Sequence, residues 1–102
     1  MRPTNVVDYA TLTVEDSAVG LADASPAYTA GHDVTGILAT VETADVRVRM
    51  DGSAATTSEG HILHVGDVLD MSDDNWTSVL PNLSFIRDGA ISGVVKLTYF
   101  GR

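Results

Sequence analysis

The chain has 102 residues, no cysteine, and a formal net charge of −8 from six Lys plus Arg against fourteen Asp plus Glu. Its length is that of one domain that can bury a core without metal or disulfide support. The lack of cysteine excludes disulfide frameworks, thiolate zinc sites and cysteine nucleophiles. The acidic balance disfavours nucleic-acid partners, and no apolar run approaches the ~20 residues of a membrane span. We expect a soluble protein without a nucleic-acid or membrane partner.

The N-terminal residues 1–8 predict an arm. They hold Arg2, Pro3 and a single apolar pair, Val6–Val7, which is too little to nucleate a core element. Chain ends of this kind are loosely held unless they are docked, and arms often bind partners. The sequence therefore predicts an arm over residues 1–8 and one β-sandwich domain over residues 9–102.

From Tyr9 onward, apolar and polar residues alternate with Leu12 on the apolar side, which predicts a half-buried strand. The alternation resumes at Val19 after a short break. Residues 22–33 are rich in Asp, Ser, Pro and Gly and predict a loop. Tyr28 is the one large apolar residue of that loop, and we expect it to dock onto the domain.

The middle of the chain predicts two strands, over residues 35–43 and 46–50. The second alternates most regularly, and its opposite face is a row of mixed charges: Asp45, Arg47, Arg49 and Asp51. Such a row must meet water, a charged neighbouring strand or another subunit. Asp51 and Gly52 then predict a turn, followed by a polar loop over residues 53–60.

Residues 60–71 predict a strand, a tight turn and a second strand, with Gly66 free to take a positive φ. Trp76 is expected to be a buried anchor. A single helical turn is predicted over residues 74–80, and Pro81 keeps the next residues out of a central strand. The closing strands are predicted at residues 83–87 and 94–100.

About eight short antiparallel strands and almost no helix predict an all-β fold, a β-sandwich or jelly-roll-like domain. Parallel crossovers are excluded because the sequence has no helices to make them. The predicted core consists of the inward-facing apolar residues Leu12, Val14, Ile37, Val41, Val46, Val48, Ile62, Leu63, Leu69, Trp76, Leu80, Phe85, Ile86, Val95, Leu97 and Tyr99.

His61 and His64, with Asp67 and Asp70 nearby, raise the hypothesis of a metal site. Their spacing argues against it, because side chains three apart on a strand point to opposite faces. Ordinary structural histidines are the favoured interpretation.

A cluster of acidic and amide residues could form a calcium loop: Asp70, Asp73, Asp74 and Asn75. It lacks the central glycine and the terminal glutamate of an EF-hand, so a solvated turn is favoured. No Gly-X-Ser-X-Gly turn presents a serine nucleophile, and no glycine-rich phosphate loop occurs. We therefore expect no enzyme activity and no cofactor.

Arg47 and Arg49 leave two interpretations open. They belong either to an ion-pair ladder on a wet face, or to a subunit interface in which they meet carboxylates of a neighbour. The residues predicted for an interface are Arg2, Pro3, Val6, Val7, Tyr28, Arg47 and Arg49.

Two runs carry a family resemblance: ATVETADVRVRMDGSAATTSEGHILHVGDVL and NLSFIRDGAISGVVKLTYFG. Their shared features are a VRVR strand entering Asp51–Gly52, a Thr-containing loop, the corner Gly60–Asp67, and late strands with Phe85–Arg87 and Thr98–Phe100. In these features the chain resembles small β-sandwich virion proteins of tailed bacteriophages. The resemblance covers about the last two thirds of the chain, and residues 1–34 show none.

The resemblance implies a structural protein that decorates or cements the phage capsid. It implies the capsid exterior as location, a homo-oligomer, and the major capsid protein or neighbouring virion subunits as partners. One alternative is a tail or fibre component, including a carbohydrate- or receptor-binding sandwich, which exposed aromatic rings at Tyr28 or Trp76 would favour. Another is a cupin-like metal enzyme, which requires His61 and His64 to converge.

Overall fold

The computed structural model describes residues 5–28, 34–73 and 75–101. Within these ranges the chain forms seven strands: β1 (Asn5–Val14), β2 (Val34–Glu42), β3 (Val46–Arg49), β4 (His61–Leu63), β5 (Val68–Met71), β6 (Ser84–Arg87) and β7 (Gly93–Gly101). The helices found in the same ranges are two 3₁₀ turns, Leu21–Asp23 and Leu80–Asn82. The predicted all-β class is confirmed.

The strands form two antiparallel sheets, a four-stranded sheet in the order β1-β7-β2-β5 and a three-stranded sheet in the order β4-β3-β6. Val19 adds a one-residue bridge beside β6, where it exchanges two backbone hydrogen bonds with Phe85 at 2.8 and 2.7 Å. Counted with this bridge as the second of eight strands, the orders become 1-8-3-6 and 2-7-4-5. This is the strand order of a jelly roll.

The first strand begins at Asn5, before the expected start at Tyr9. Asn5 and Val6 pair with the end of β7, and an irregularity in register lies between Val6 and Asp8. Residues 5–8 therefore belong to the sheet and not to an arm. The sequence did not show this, because the pairing partner lies at the other end of the chain. Arg2 and Pro3 lie outside the described residues.

The core lies between the two sheets, where every second side chain is buried along β7, from Ala10 to Val14 of β1 and from Ile37 to Val41 of β2. Twelve of the predicted core residues are buried: Leu12, Val14, Ile37, Val41, Val46, Val48, Leu80, Phe85, Ile86, Val95, Leu97 and Tyr99. Leu63, Leu69 and Trp76 are partly buried against this core. Ile62 is 40% exposed, so its assignment to the core was wrong. It neighbours Leu63, and a strand turns only one of two adjacent side chains inward.

The helical turn predicted over residues 74–80 occurs slightly later, as a turn through Thr77–Val79 followed by the 3₁₀ helix Leu80–Asn82. Pro81 stands in the first turn of that helix, where a missing N–H costs nothing. Leu80 is fully buried and anchors the segment. Asp74 lies outside the described residues.

Candidate functional site

Three connecting loops meet at one end of the sandwich, and Asp45 joins them. These loops, residues 43–45, 64–67 and 88–92, are called the loop end below. The Asp45 carboxylate accepts the Val65 N–H at 2.9 Å and lies 2.9 Å from His64 Nδ1. The Asp45 carbonyl accepts the Asp88 N–H at 3.1 Å. One residue thus holds three loops in a fixed arrangement, which suits a preformed contact surface.

The contact between Asp45 and His64 shifts both groups. The hydrogen bond from His64, followed by that from the Val65 N–H, lowers the pKa of Asp45 below its ordinary value of 3.8. The same hydrogen bond and the charge of Asp45 raise the pKa of His64 above 6.5. Asp67 supports the loop by accepting the His64 backbone N–H at 2.8 Å. The His64 side chain is 66% exposed, so these are surface effects that salt will weaken.

The loop end also contains backbone strain. Thr43 has φ = 74°, and its neighbour Ala44 donates its N–H to the Glu42 carbonyl at 2.8 Å. Together these describe a γ-turn of the positive-φ form, which is uncommon for a β-branched residue. Gly66 has φ = 91°, as the sequence predicted for this corner.

Two apolar side chains project from the loop end. Val65 is exposed at the tip of one loop and Ile91 at the tip of another. A shallow cleft of about 190 Å³ separates Ala44–Asp45 from Asp88–Ile91. Exposed aliphatic side chains above a rigid, acidic base form a surface that a complementary protein can bury.

The outward face of the four-stranded sheet is a second exposed surface, called the open face below. Its side chains are Val6, Tyr9, Thr11 and Thr13 of β1, Val94, Lys96, Thr98 and Phe100 of β7, Leu38, Thr40 and Glu42 of β2, and Val68 and Asp70 of β5. Tyr9 and Val68 stand on opposite edge strands and are each 55% exposed. The face is rich in threonine and apolar residues and poor in charge.

The outward face of the three-stranded sheet, by contrast, is partly covered by its own chain, although Ile62 of β4 stays exposed. Ala55, in the loop between β3 and β4, is buried and donates its N–H to Ser84 Oγ at 2.9 Å. Ile86, on the same face, is also buried. The two sheets therefore differ, since only the four-stranded one keeps exposed apolar residues on both of its edge strands.

Arg47 and Arg49, two of the three arginines predicted for an interface, are paired within the chain. Arg47 donates from Nε to Asp88 at 2.8 Å and from Nη1 to the Gly60 carbonyl at 3.1 Å. Arg49 makes a two-pronged contact with Asp51 at 2.7 and 2.9 Å. This contact, with the Ser53 N–H, lowers the pKa of Asp51 to about 2. The ion-pair interpretation is therefore favoured over the interface one.

The assignment of Tyr28 to an interface is corrected by its burial. Tyr28 is only 6% exposed, and its ring packs on Tyr99 with centroids 6.4 Å apart. It docks onto the core as expected and cannot present its ring to a neighbour. Val6 and Val7 are exposed, but they lie on β1 rather than on an arm.

His61 and His64 do not converge. His61 lines an open groove of about 500 Å³ with Arg49, Asp51 and Glu59, whereas His64 belongs to the loop end. Within the described residues, no group of three or more His, Cys, Asp or Glu side chains could hold a metal ion. The cupin-like hypothesis is thus contradicted by the placement of its two histidines.

The described members of the acidic cluster considered for calcium, Asp70, Asp73 and Asn75, accept hydrogen bonds within local turns. Asp70 accepts the Ser72 N–H at 3.0 Å, and Asp73 accepts the Trp76 indole N–H at 3.3 Å. Asn75 accepts the Thr77 N–H at 3.0 Å. This arrangement agrees with the solvated turn that the sequence favoured.

The sequence pattern did not indicate Tyr9, Val65, Val68 and Ile91 as surface-forming residues, and it placed Asp45 in a charged row without showing that this residue joins three loops. Val65 and Ile91 carried a usable signal, because Val65 is beside the turn glycine Gly66 and Ile91 lies between Gly89 and Gly93. Tyr9 and Val68 carried none, since alternation alone does not show which strands become neighbours.

Comparison with protein-family models, curated proteins and solved structures finds no match to this chain. The described helices are too short to cross a membrane.

Proposed function

We propose that this protein is a bacteriophage virion structural protein that decorates or cements the capsid from the outside. The observation that carries the proposal is the presence of two differently directed apolar surfaces, the loop end and the open face, on one jelly-roll frame. A cementing subunit needs at least two contact surfaces, one for the shell and one for a neighbour. The family resemblance of the sequence points in the same direction.

The loop end suits the contact with the shell. Val65 and Ile91 are exposed at its tips, and Asp45 fixes the loops beneath them. A prearranged surface loses little conformational entropy when it binds. Each contact can be small, on the order of several hundred Å², because repeated copies bind a lattice together through avidity.

The net charge suits an exterior position. At −8 the free protein stays soluble at high expression and is repelled by packaged DNA. The alternative of a carbohydrate-binding sandwich has less support, because Tyr28 is buried and Trp76 is half-buried with its N–H donated to Asp73.

The proposal is tested by co-sedimentation of the purified protein with capsids that have been emptied of DNA. We expect saturable binding with a fixed ratio to the major capsid protein. The double variant Val65→Glu/Ile91→Glu should lose at least tenfold in affinity, and Ile62→Glu, on the opposite sheet, should bind normally. Wild-type protein that stays in the supernatant at tens of micromolar would refute the proposal.

A further inference from the structure

We propose that the open face is a self-association surface that binds a second copy of this chain, face to face, across a two-fold axis. The inference deepens the proposed function and rests on it for its biological setting, because the resemblance implies an oligomer. The choice of a second copy as the occupant follows from charge, pairing geometry and area.

Charge restricts where two identical acidic molecules can meet. The chain carries −8, so most of its surface repels a second copy. The open face carries Lys96 against Glu42 and Asp70, which gives a net charge of −1. Two copies that meet through this face bring together the part of each molecule where repulsion is weak.

The charges on the open face are also arranged for self-complementarity. Lys96 lies on the inner strand β7, with its Nζ 3.3 Å from Thr11 Oγ1, and no carboxylate of the described residues forms an ion pair with it. Asp70 lies on the edge strand β5, and Glu42 lies at the end of β2. A two-fold axis repeats every contact twice, so one Lys96–carboxylate match produces two ion pairs.

Apolar residues lie beside these charges on all four strands of the open face. Val6 and Tyr9 stand on one edge strand and Val68 on the other, and all three are exposed in the single chain. Leu38 and Phe100, on the inner strands, are half-buried. In a face-to-face pair the apolar residues of each copy would lose their contact with water.

The area is sufficient for a weak specific contact. Three strands of nine or ten residues and one of four form the face. At strand spacings of about 4.8 Å and rises of about 3.3 Å, they cover roughly 500 Å² per copy. The pair thus buries about 1,000 Å² in total, the lower bound for a specific interface. We expect a dimer of micromolar affinity.

Edge-to-edge pairing through β1 is disfavoured by the structure. Ser25 exchanges two backbone hydrogen bonds with Thr11 at 3.0 and 2.9 Å, which occupies the free edge at that point. The Asp8 carboxylate accepts the Tyr9 N–H at 2.8 Å and occupies another donor. Such devices hinder strand addition along β1, which favours the open face over this edge as the contact surface.

Sedimentation equilibrium of the purified protein tests the inference. We expect a monomer–dimer equilibrium for the wild type and at least a tenfold weaker dimer for Tyr9→Glu and for Val68→Glu. Ile62→Glu is the matched control, because it adds the same charge at an exposed apolar position on the opposite sheet. Circular dichroism and thermal melts confirm folding, and the two test variants lie on different strands, so a folding defect in one leaves the other informative.

Salt gives an independent readout. Dimerisation between two copies of charge −8 should become tighter between 0.02 and 0.5 M NaCl, because screening reduces the repulsion between the whole molecules by more than it weakens the two Lys96 ion pairs, while apolar contact persists. A wild type that remains monomeric at ~200 µM, or a control variant that dissociates as readily as the test variants, would overturn the inference. A monomer that nevertheless binds capsids through the open face would assign that face to the shell, leaving the proposed function intact. A dimer without capsid binding would refute only the proposed function.

Discussion

At the scale of single residues, Thr43 holds the most strained backbone of the loop end. A positive φ costs a residue with a Cβ atom about 1–2 kcal/mol, which glycine avoids at an entropic cost of about 0.5–1 kcal/mol. We therefore expect Thr43→Gly to raise the free energy of unfolding by about 0.5–1 kcal/mol. Thr43→Ala, which keeps the Cβ atom, should give no such gain. Urea unfolding with unchanged m-values measures both. A glycine variant less stable than the alanine variant would show that the strain estimate is wrong.

Asp45 and His64 predict a pH dependence with a definite sign. The raised pKa of His64 means that its contact with Asp45 stabilises the folded state fully below pH 6.5. This stabilisation is lost as the pH rises through the pKa of His64 in the folded state. The lowered pKa of Asp45 stabilises the folded state above pH 3.8, and this stabilisation is lost as the pH falls through the pKa of the folded state. Between pH 6 and 8.5, the wild type should therefore lose more stability than His64→Gln. Measured by NMR, the pKa of the His64 ring should lie above 6.5 in the wild type and should be lower in Asp45→Asn. Equal pKa values in the two proteins would contradict the contact between His64 and Asp45.

At the scale of elements, the approach of β7 to the start of β3 depends on Gly93. A Cβ atom at Gly93 would lie 2.5 Å from Val46 Cγ1 and 2.7 Å from the Ala44 carbonyl oxygen. We expect Gly93→Ala to destabilise the fold by about 1–3 kcal/mol, because the backbone oxygen cannot move aside. Gly89→Ala is the matched control, since a Cβ atom there meets nothing within 4 Å. Thermal or urea unfolding of the pair measures the difference, and equal stabilities would contradict the close packing.

The elements were predictable where local alternation decides them. The strands over residues 46–49, 84–87 and 93–101 lie close to their predicted positions. The alternation was expected to resume at Val19, but the bridge from Val19 to Phe85 was not predictable, because it depends on a distant strand. The early start of β1 has the same cause. The assignment of Ile62 to the core was wrong, because two adjacent apolar residues, Ile62 and Leu63, do not show which of the two side chains points inward.

At the scale of the whole molecule, the sequence predicted a jelly-roll-like domain but did not predict its two exposed surfaces, the open face and the loop end. The open face joins residues from four strands, and the loop end joins three loops through Asp45. These groupings follow from strand order, which periodicity does not encode. Arg47 and Arg49 were noticed because they lie on the polar face of a regularly alternating strand, yet both pair within the chain. The conspicuous charges, for which the sequence left pairing and an interface open, are thus paired within the chain. The less conspicuous Tyr9 and Val68 are exposed.

The central claim, that this molecule is a building block of a capsid surface, is tested most directly by counting its copies in purified virions. Quantitative mass spectrometry of particles from the phage that, on the proposed function, encodes this chain gives the ratio to the major capsid protein. We expect on the order of hundreds of copies per particle, in a fixed ratio set by the symmetry of the capsid lattice. Absence from the particles, or only about a dozen copies as at a single vertex or tail, would contradict it.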